Sequence, residues 1–457
     1  MPRAATITLL LLVAHSAAAA PTKLTLTELR QRARQYSKAV ATARAGLDVR
    51  QAQKGEALAL WAPVGEITYL FTATPAIQCR GPGGNADPTI RKQECVDTVD
   101  PNTGQSVNGL GSGLHGVGME GELKLIQPVY TFGKIEAAIE ASHRGIDAAR
   151  AAVDIASGDA DLDVARAYWG TKAARTAILT LDGVRDELGP WIDKIEKNLD
   201  KPKPQYTISD LERLKTALDE LDIVKADLDH MHIVALAGLR ALTGEEVDVD
   251  DGELDAEPPI SRPLAALQEY SLGHRPEMRA LDAGVGALQQ LARVRRNQML
   301  PDIGIAIDVL LRYSSSVETP DNTFMFQATV ARFAAFLALR QPLDLFQRHA
   351  QYRVARAEAH VFEARRDEAL IGMDFQLRSA YAEQDEARRR LAASEHGQKT
   401  ARGWLNAVKQ NLDLGTADPR DLADAARRYL ELRLGYFKAI ADANITVARL
   451  NRLTGME

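Results

Sequence analysis

Leu300-Pro301-Asp302-Ile303-Gly304-Ile305-Ala306-Ile307-Asp308-Val309-Leu310-Leu311 decides the fold. Ile303, Ile305, Ile307, Val309 and Leu311 hold the odd positions, while Asp302, Gly304, Asp308 and Arg312 stand among the even ones. Alternation at this period is a strand with one apolar and one polar face. A second copy lies 238 residues earlier: Ala62-Pro63 precedes Ile67-Thr68-Tyr69-Leu70-Phe71-Thr72-Ala73. The offset is even, so both copies turn the same face the same way. Such a face suits lipid when a barrel crosses a bilayer, with the polar face toward a wet lumen. The pattern alone also fits a half-buried sheet of a soluble protein.

Outward from these strands the duplication continues. Gln127-Pro128 is answered by Gln341-Pro342, Ala167-Tyr168 by Ala380-Tyr381, and Leu242-Thr243-Gly244 by Leu453-Thr454-Gly455, at offsets of 214, 213 and 211. A period this long is not that of a solenoid. It describes two half-domains, each needing the other to cover its apolar faces. Each copy reads as a helix (Leu26 to Leu60; Leu264 to Met299), a strand pair, the Gln-Pro element and a helical hairpin. The return strands, Gly116 to Leu125 and Phe324 to Leu339, are expected to end at Gln-Pro, because proline cannot donate to a ladder and suits a first helical turn.

The helices after Gln-Pro carry heptad seams. Ile135, Ile139, Ser142, Ile146, Ala149, Val153, Ala156 and Ala160 form one, and Ala350, Val354, Ala357, Val361, Ala364, Glu368, Ile371 and Phe375 form its counterpart. The returning helix repeats the spacing from Leu211 and Leu214 to Leu239 and Leu242. Heptads sustained this far mean coiled-coil packing, and by themselves they fit a simple rod as well. The expected division is a signal peptide at 1–19, a first repeat at 20–244 (strand pair 64–126, hairpin 128–244), an acidic linker at 245–263 and a second repeat at 264–457 (strand pair 302–340, hairpin 342–455).

Arg3, the apolar run Ile7 to Val13 and the small residues Ala17-Ala18-Ala19 have the pattern of a secretory signal. Beyond them no uninterrupted apolar run is long enough for a spanning helix. In an oxidising compartment the two cysteines, Cys79 and Cys95, are expected to close a disulfide across a Gly/Pro-rich loop. The net charge of −6 and the lack of a basic, aromatic-bearing cluster give no reason to expect nucleic acid. Gly111-x-Gly113-x-x-Gly116 matches a dinucleotide fingerprint but opens a strand, which is the wrong context. His230 and His232 fall on different sides of a helix. No motif points to an enzyme, a cofactor or a metal.

These pieces, in this order, resemble the outer membrane factors, the TolC-like efflux family. The resemblance rests on Arg275-Pro276-Glu277, Leu300-Pro301-Asp302, Gln127-Pro128-Val129-Tyr130 with Phe132-Gly133, Ala167-Tyr168, Gly415-Thr416 with Asp421-Leu422, and the terminal Leu-Thr-Gly. It implies a mainly α fold with a small β part. The long coiled-coil hairpins would form a periplasmic α-barrel, and four strands per protomer would enter a trimeric twelve-stranded outer-membrane β-barrel. It implies a homotrimer in contact with outer-membrane lipid, docked on a periplasmic adaptor and an inner-membrane pump. Lipid would meet Ile67, Tyr69, Phe71, Ile303, Ile305, Ile307 and Val309. The adaptor would meet the second tip at Gly415, Thr416 and Arg420, and Asp421 with Asp424 would narrow the entrance. The first tip, Lys201-Pro202-Lys203-Pro204, lacks the Gly-rich pattern usual there. A type I protein-secretion duct uses the same fold, and a periplasmic coiled-coil protein without a pore is the reading from a different class.

Overall fold

The computed structural model describes residues 22–75, 98–99, 106–107, 114–314, 330–414 and 416–456. The signal segment, Cys79, Cys95 and Gly415 lie outside them. In chain order the elements are β1 (Thr22–Leu24), α1 (Leu26–Tyr36), α2 (Lys38–Ala59), β2 (Val64–Pro75), β3 (Thr98–Val99), β4 (Ser106–Val107), β5 (Leu114–Tyr130), α3 (Lys134–Leu199), α4 (Ile208–Thr243), β6 (Val247–Val249), α5 (Leu264–His274), α6 (Pro276–Asn297), β7 (Asp302–Ser314), β8 (Val330–Arg340), α7 (Leu345–Asp413) and α8 (Pro419–Thr454). They fall into two compact units, each drawing on both repeats. One takes the chain up to Asp48, Asp147–Asp282 and Arg365 onward; the other takes Val49–Ile146 and Ala283–Ala364.

Both hairpins meet in the first unit. Leu181, Leu188 and Ile195 of α3 bury against Leu211, Leu214 and Leu221 of α4, Leu405 and Leu412 of α7, and Leu422 of α8. The α4 seam is therefore core, as its heptads require. Farther along the unit, β1 pairs in parallel with β6, so part of the expected linker is a strand. Val247 and Val249 seal a second cluster with Leu29, Ala33, Val164 and Leu239. The Lys172 ammonium is buried there against Asp250 at 2.6 Å, and Tyr168 donates its hydroxyl to the same carboxylate at 3.0 Å. Burial opposes the charge on Asp250, but these two partners hold its carboxyl below the usual range.

Repeated sequence makes repeated local structure. Gly244 and Gly455 both take φ of +75° and cap α4 and α8 in the left-handed conformation, where a side chain is costly. The threonine before each, Thr243 or Thr454, donates its hydroxyl to the carbonyl of Leu239 or Leu450, both at 2.8 Å. In the second unit the Gln127 amide donates to the carbonyls of Trp61 and Pro128 at 2.8 and 3.0 Å. The Gln341 amide donates to Met299 and Pro342 at 3.1 and 3.0 Å. Trp61 and Met299 are themselves 238 residues apart. The Gln-Pro motif is thus a clip between the end of a strand and the end of the preceding helix.

Three expectations are corrected. The single helices expected at Leu26 to Leu60 and Leu264 to Met299 are each broken in two, at Ser37 and at Arg275. Pro276 cannot continue α5 and starts α6 instead. The first return strand does not stop at Gln127 but runs through Pro128 to Tyr130, with a bulge between Pro128 and Tyr130. Its neighbour β2 starts only opposite Ile126, so Pro128 sits where β5 has one paired side and a missing N–H costs little.

Candidate functional site

Two regions carry the functional residues, and each is built within one unit. In the second unit β2, β5, β7 and β8 form one antiparallel sheet in that order. The register aligns every expected lipid-facing residue. One row reads Ile67, Leu123, Val309, Phe333, the next Tyr69, Gly121, Leu311, Ala331, and a third Gly65, Leu125, Ile307, Ala335. Phe71, Met119 and Tyr313 extend the face at one end. Ile305 and Leu337 extend it at the other, beside Gln127. No charged side chain interrupts these rows. Ile67, Tyr69 and Phe71 are 59%, 70% and 66% exposed, although they are large and apolar.

The opposite face is charged, and sequence reading had singled out none of its acids and bases beyond the alternation itself. Glu66, Lys124 and Asp308 lie in register, and so do Glu120 and Arg312. Arg312 bridges Glu120 at 2.8 Å, and Arg332 bridges Asp308 at 3.2 Å. Leu70 and Leu310 are apolar members of this face, and Val64, Ile126, Ala306 and Phe336 form an apolar row across it. Ala306, read as a wet position of this face, is 8% exposed between Ile126 and Phe336, so the charged surface stops short of it.

The second region is the pair of hairpin tips. Thr207 caps α4: its hydroxyl accepts from the Asp210 N–H, and the Asp210 carboxylate accepts from the Thr207 N–H at 2.9 Å. At the matching place Asp418 caps α8, accepting from the Arg420 N–H at 2.9 Å, with Pro419 in the first turn. Asp418 therefore does the capping that Asp421 could have done. Asp421 and Asp424 are both exposed, three residues apart on one face of α8, and among the described residues neither carboxylate has an ion-pair partner. The Thr416 N–H closes the second turn on the Asn411 carbonyl at 2.8 Å. In the first turn the Asn198 side chain accepts from the Gln205 N–H at 2.7 Å.

Arg420 joins the tips to each other. Its guanidinium reaches the buried Asp210 carboxylate at 3.4 Å while remaining half exposed. Burial alone would raise the Asp210 carboxyl, but Thr207 and Arg420 hold it below the usual carboxylate range. Above the tips the Glu187 carboxylate of α3 takes both Lys409 and Arg402 of α7, the latter at 3.1 Å.

A four-stranded sheet with one apolar and one largely charged face, together with duplicated coiled-coil hairpins, is a fold found in known outer-membrane channels. Residues 267–456 match the family described as outer membrane efflux protein. No curated protein matches the chain. Among solved structures, VceC of Vibrio cholerae is 16% identical, with 94% of this chain and 97% of that one covered and a TM-score of 0.71. CmeC of Campylobacter jejuni is 14% identical, with 94% and 85% covered and a TM-score of 0.70. The open-state MtrE channel of Neisseria gonorrhoeae is 15% identical, with 94% and 89% covered and a TM-score of 0.71. The chain thus shares the fold of these outer-membrane channels, and its second repeat matches the outer membrane efflux protein family by sequence. Among the described residues no helix is long and apolar enough to cross a membrane.

Proposed function

We propose that three copies of this chain form the outer-membrane duct of a tripartite efflux system. One observation carries the reading: the sheet is apolar on one face and largely charged on the other, and among the described residues its outer strands, β2 and β8, have no partner on their outer edges. Exposed strand edges of 12 and 11 residues are a liability in a lone protein. Closure of three sheets into one twelve-stranded barrel removes the edges, turns Ile67, Tyr69, Phe71, Ile303, Ile305, Ile307 and Val309 to lipid, and wets the charged face. Strands of this length suffice to span a bilayer when tilted.

In this reading the helical hairpins reach into the periplasm. Thr416 and the turn around it dock on an adaptor, which links the duct to an inner-membrane pump. Arg420 contributes by holding the two tips together. Asp421 and Asp424 of three chains bring six carboxylates round one axis. The 1–19 segment is removed on export, and Cys79 pairs with Cys95 in the outer loop. Planar-bilayer recording of purified protein tests the core of this: discrete conductance steps from a species of trimer mass are expected. A monomer that leaves the bilayer silent and fractionates with the soluble periplasm would sink the duct.

A further inference from the structure

Within the second unit α6 and α7 enclose an open cleft of about 290 Å³. Its floor is Ala292 and Ala359, both buried, and the lack of side-chain bulk there makes the space. Arg293, Arg296, Arg356 and Tyr352 stand round it. Among the described residues neither Arg293 nor Arg356 has an ion-pair partner, and all three guanidiniums are on exposed residues. The one acid of the lining, Glu363, is already engaged, by the Gln289 amide at 2.8 Å and by the His360 ring at 3.0 Å. The cleft therefore sets three guanidiniums against one carboxylate, an excess of positive charge for an anion small enough to sit on two alanines.

Its place in the chain says which anion. Arg296 stands on the last turn of α6, six residues before Asp302 opens β7. The same end of the sheet carries a polar collar. Lys134 meets Asp302 at 2.6 Å, and Arg348 donates to the Gln298 carbonyl at 3.3 Å. If the apolar rows lie in the hydrocarbon, Arg293 and Arg296, in the last two turns of α6, reach headgroup depth by extending their stems, and Arg356, about three turns into α7, lines the cleft with them.

We propose that this cleft binds the phosphate of an anionic phospholipid headgroup at the periplasmic face of the outer membrane. The planar guanidinium suits phosphate oxygens in a bidentate fork, and Tyr352 adds a hydroxyl beside them. The inference rests on the outer-membrane reading above, since a soluble rod would offer the cleft no lipid.

Native mass spectrometry of the full-length assembled protein, mixed with equal amounts of phosphatidylglycerol and phosphatidylcholine, tests it. Preferential retention of phosphatidylglycerol is expected. It should fall by about fivefold for each of R293Q, R296Q and R356Q, the size expected for one arginine at a lipid surface. A359L keeps every charge but fills the floor, and should also lose the lipid. Equal retention of the two lipids overturns the proposal without recourse to any variant. Undiminished retention in A359L overturns it too, since the attraction would then be diffuse. Stabilisation by inorganic phosphate with no preference for phosphatidylglycerol would make the cleft a soluble-anion site, against the lipid assignment. Bilayer conductance of the same preparation separates the two readings. Conductance without lipid preference sinks only this inference, whereas lipid preference without conductance sinks only the duct.

Discussion

At the scale of single residues, the two C-cap glycines look alike but are not equally replaceable. A Cβ at Gly244 would meet only the Tyr36 Cβ at 3.8 Å, whereas one at Gly455 would lie 2.8 Å from the His274 carbonyl oxygen. Gly244→Ala should cost about 1–2 kcal/mol, the strain of the left-handed backbone alone. Gly455→Ala should cost about 1–3 kcal/mol more for the clash, and thermal melting of the two variants checks the difference. Asp210 titrates with a known sign. Its folded-state carboxyl lies below the ordinary 3.8, so its contribution is present above that value and lost as the pH falls through the folded one. Between about pH 5 and pH 3 the wild-type melting midpoint should therefore fall further than that of Asp210→Asn. For Asp421 and Asp424, the double Asn and double Ala variants should behave alike, because Asp418 holds the cap. Both should raise conductance and weaken block by multivalent cations, as removing an acidic ring does. Wild-type conductance and block in both would place the gate elsewhere.

At the scale of elements, the strands were legible because a period of two is a local property. Ile67 and Ile305 could be assigned to one face without any knowledge of their partners. The pairings were not legible: that β5 joins β7, which unites the two repeats in one sheet, depends on contacts far apart in sequence. Ala306 keeps an even position on the charged face, but its shielding by Ile126 and Phe336 comes from other strands and no local pattern shows it. Replacing Ile307 with Arg should impair membrane assembly, at about 2–4 kcal/mol near the bilayer midplane. Thr68→Arg, beside Glu122 on the charged face, should be tolerated. Heat-modifiable migration of membrane extracts compares them, and equal damage would mean that the faces are assigned wrongly.

At the scale of the whole molecule, the α7 seam stands apart from the others. The seam of α4 is buried in the chain, but Val354, Val361, Ile371 and Phe375 of α7 are 58%, 53%, 75% and 71% exposed. A heptad seam left open asks for another helix, and in the proposed trimer a further copy of the chain would supply one. Phe375→Asp separates the possibilities. At a solvent-exposed site it should change stability by no more than about 0.5 kcal/mol. At a subunit interface it should convert trimer to monomer while the helical signal survives. Mass measurement in detergent reads the outcome, and an unchanged trimer would remove this seam from the interface.

The sequence by itself determined the duplication, the alternation of the strands, the long hairpin helices and the positions of both tips. Each of these follows from periodicity and from residues with strong backbone preferences, such as Pro301, Gly244 and Gly455. Only the tertiary structure decided that Arg420 belongs to Asp210, that Gln127 and Gln341 are clips onto helix ends, and that Glu66, Lys124, Asp308 and their neighbours make one charged surface. Those relations join side chains of ordinary local character that are more than 40 residues apart. A polar side chain's partner is set by the path of the backbone between them, and no local pattern in the chain records that path.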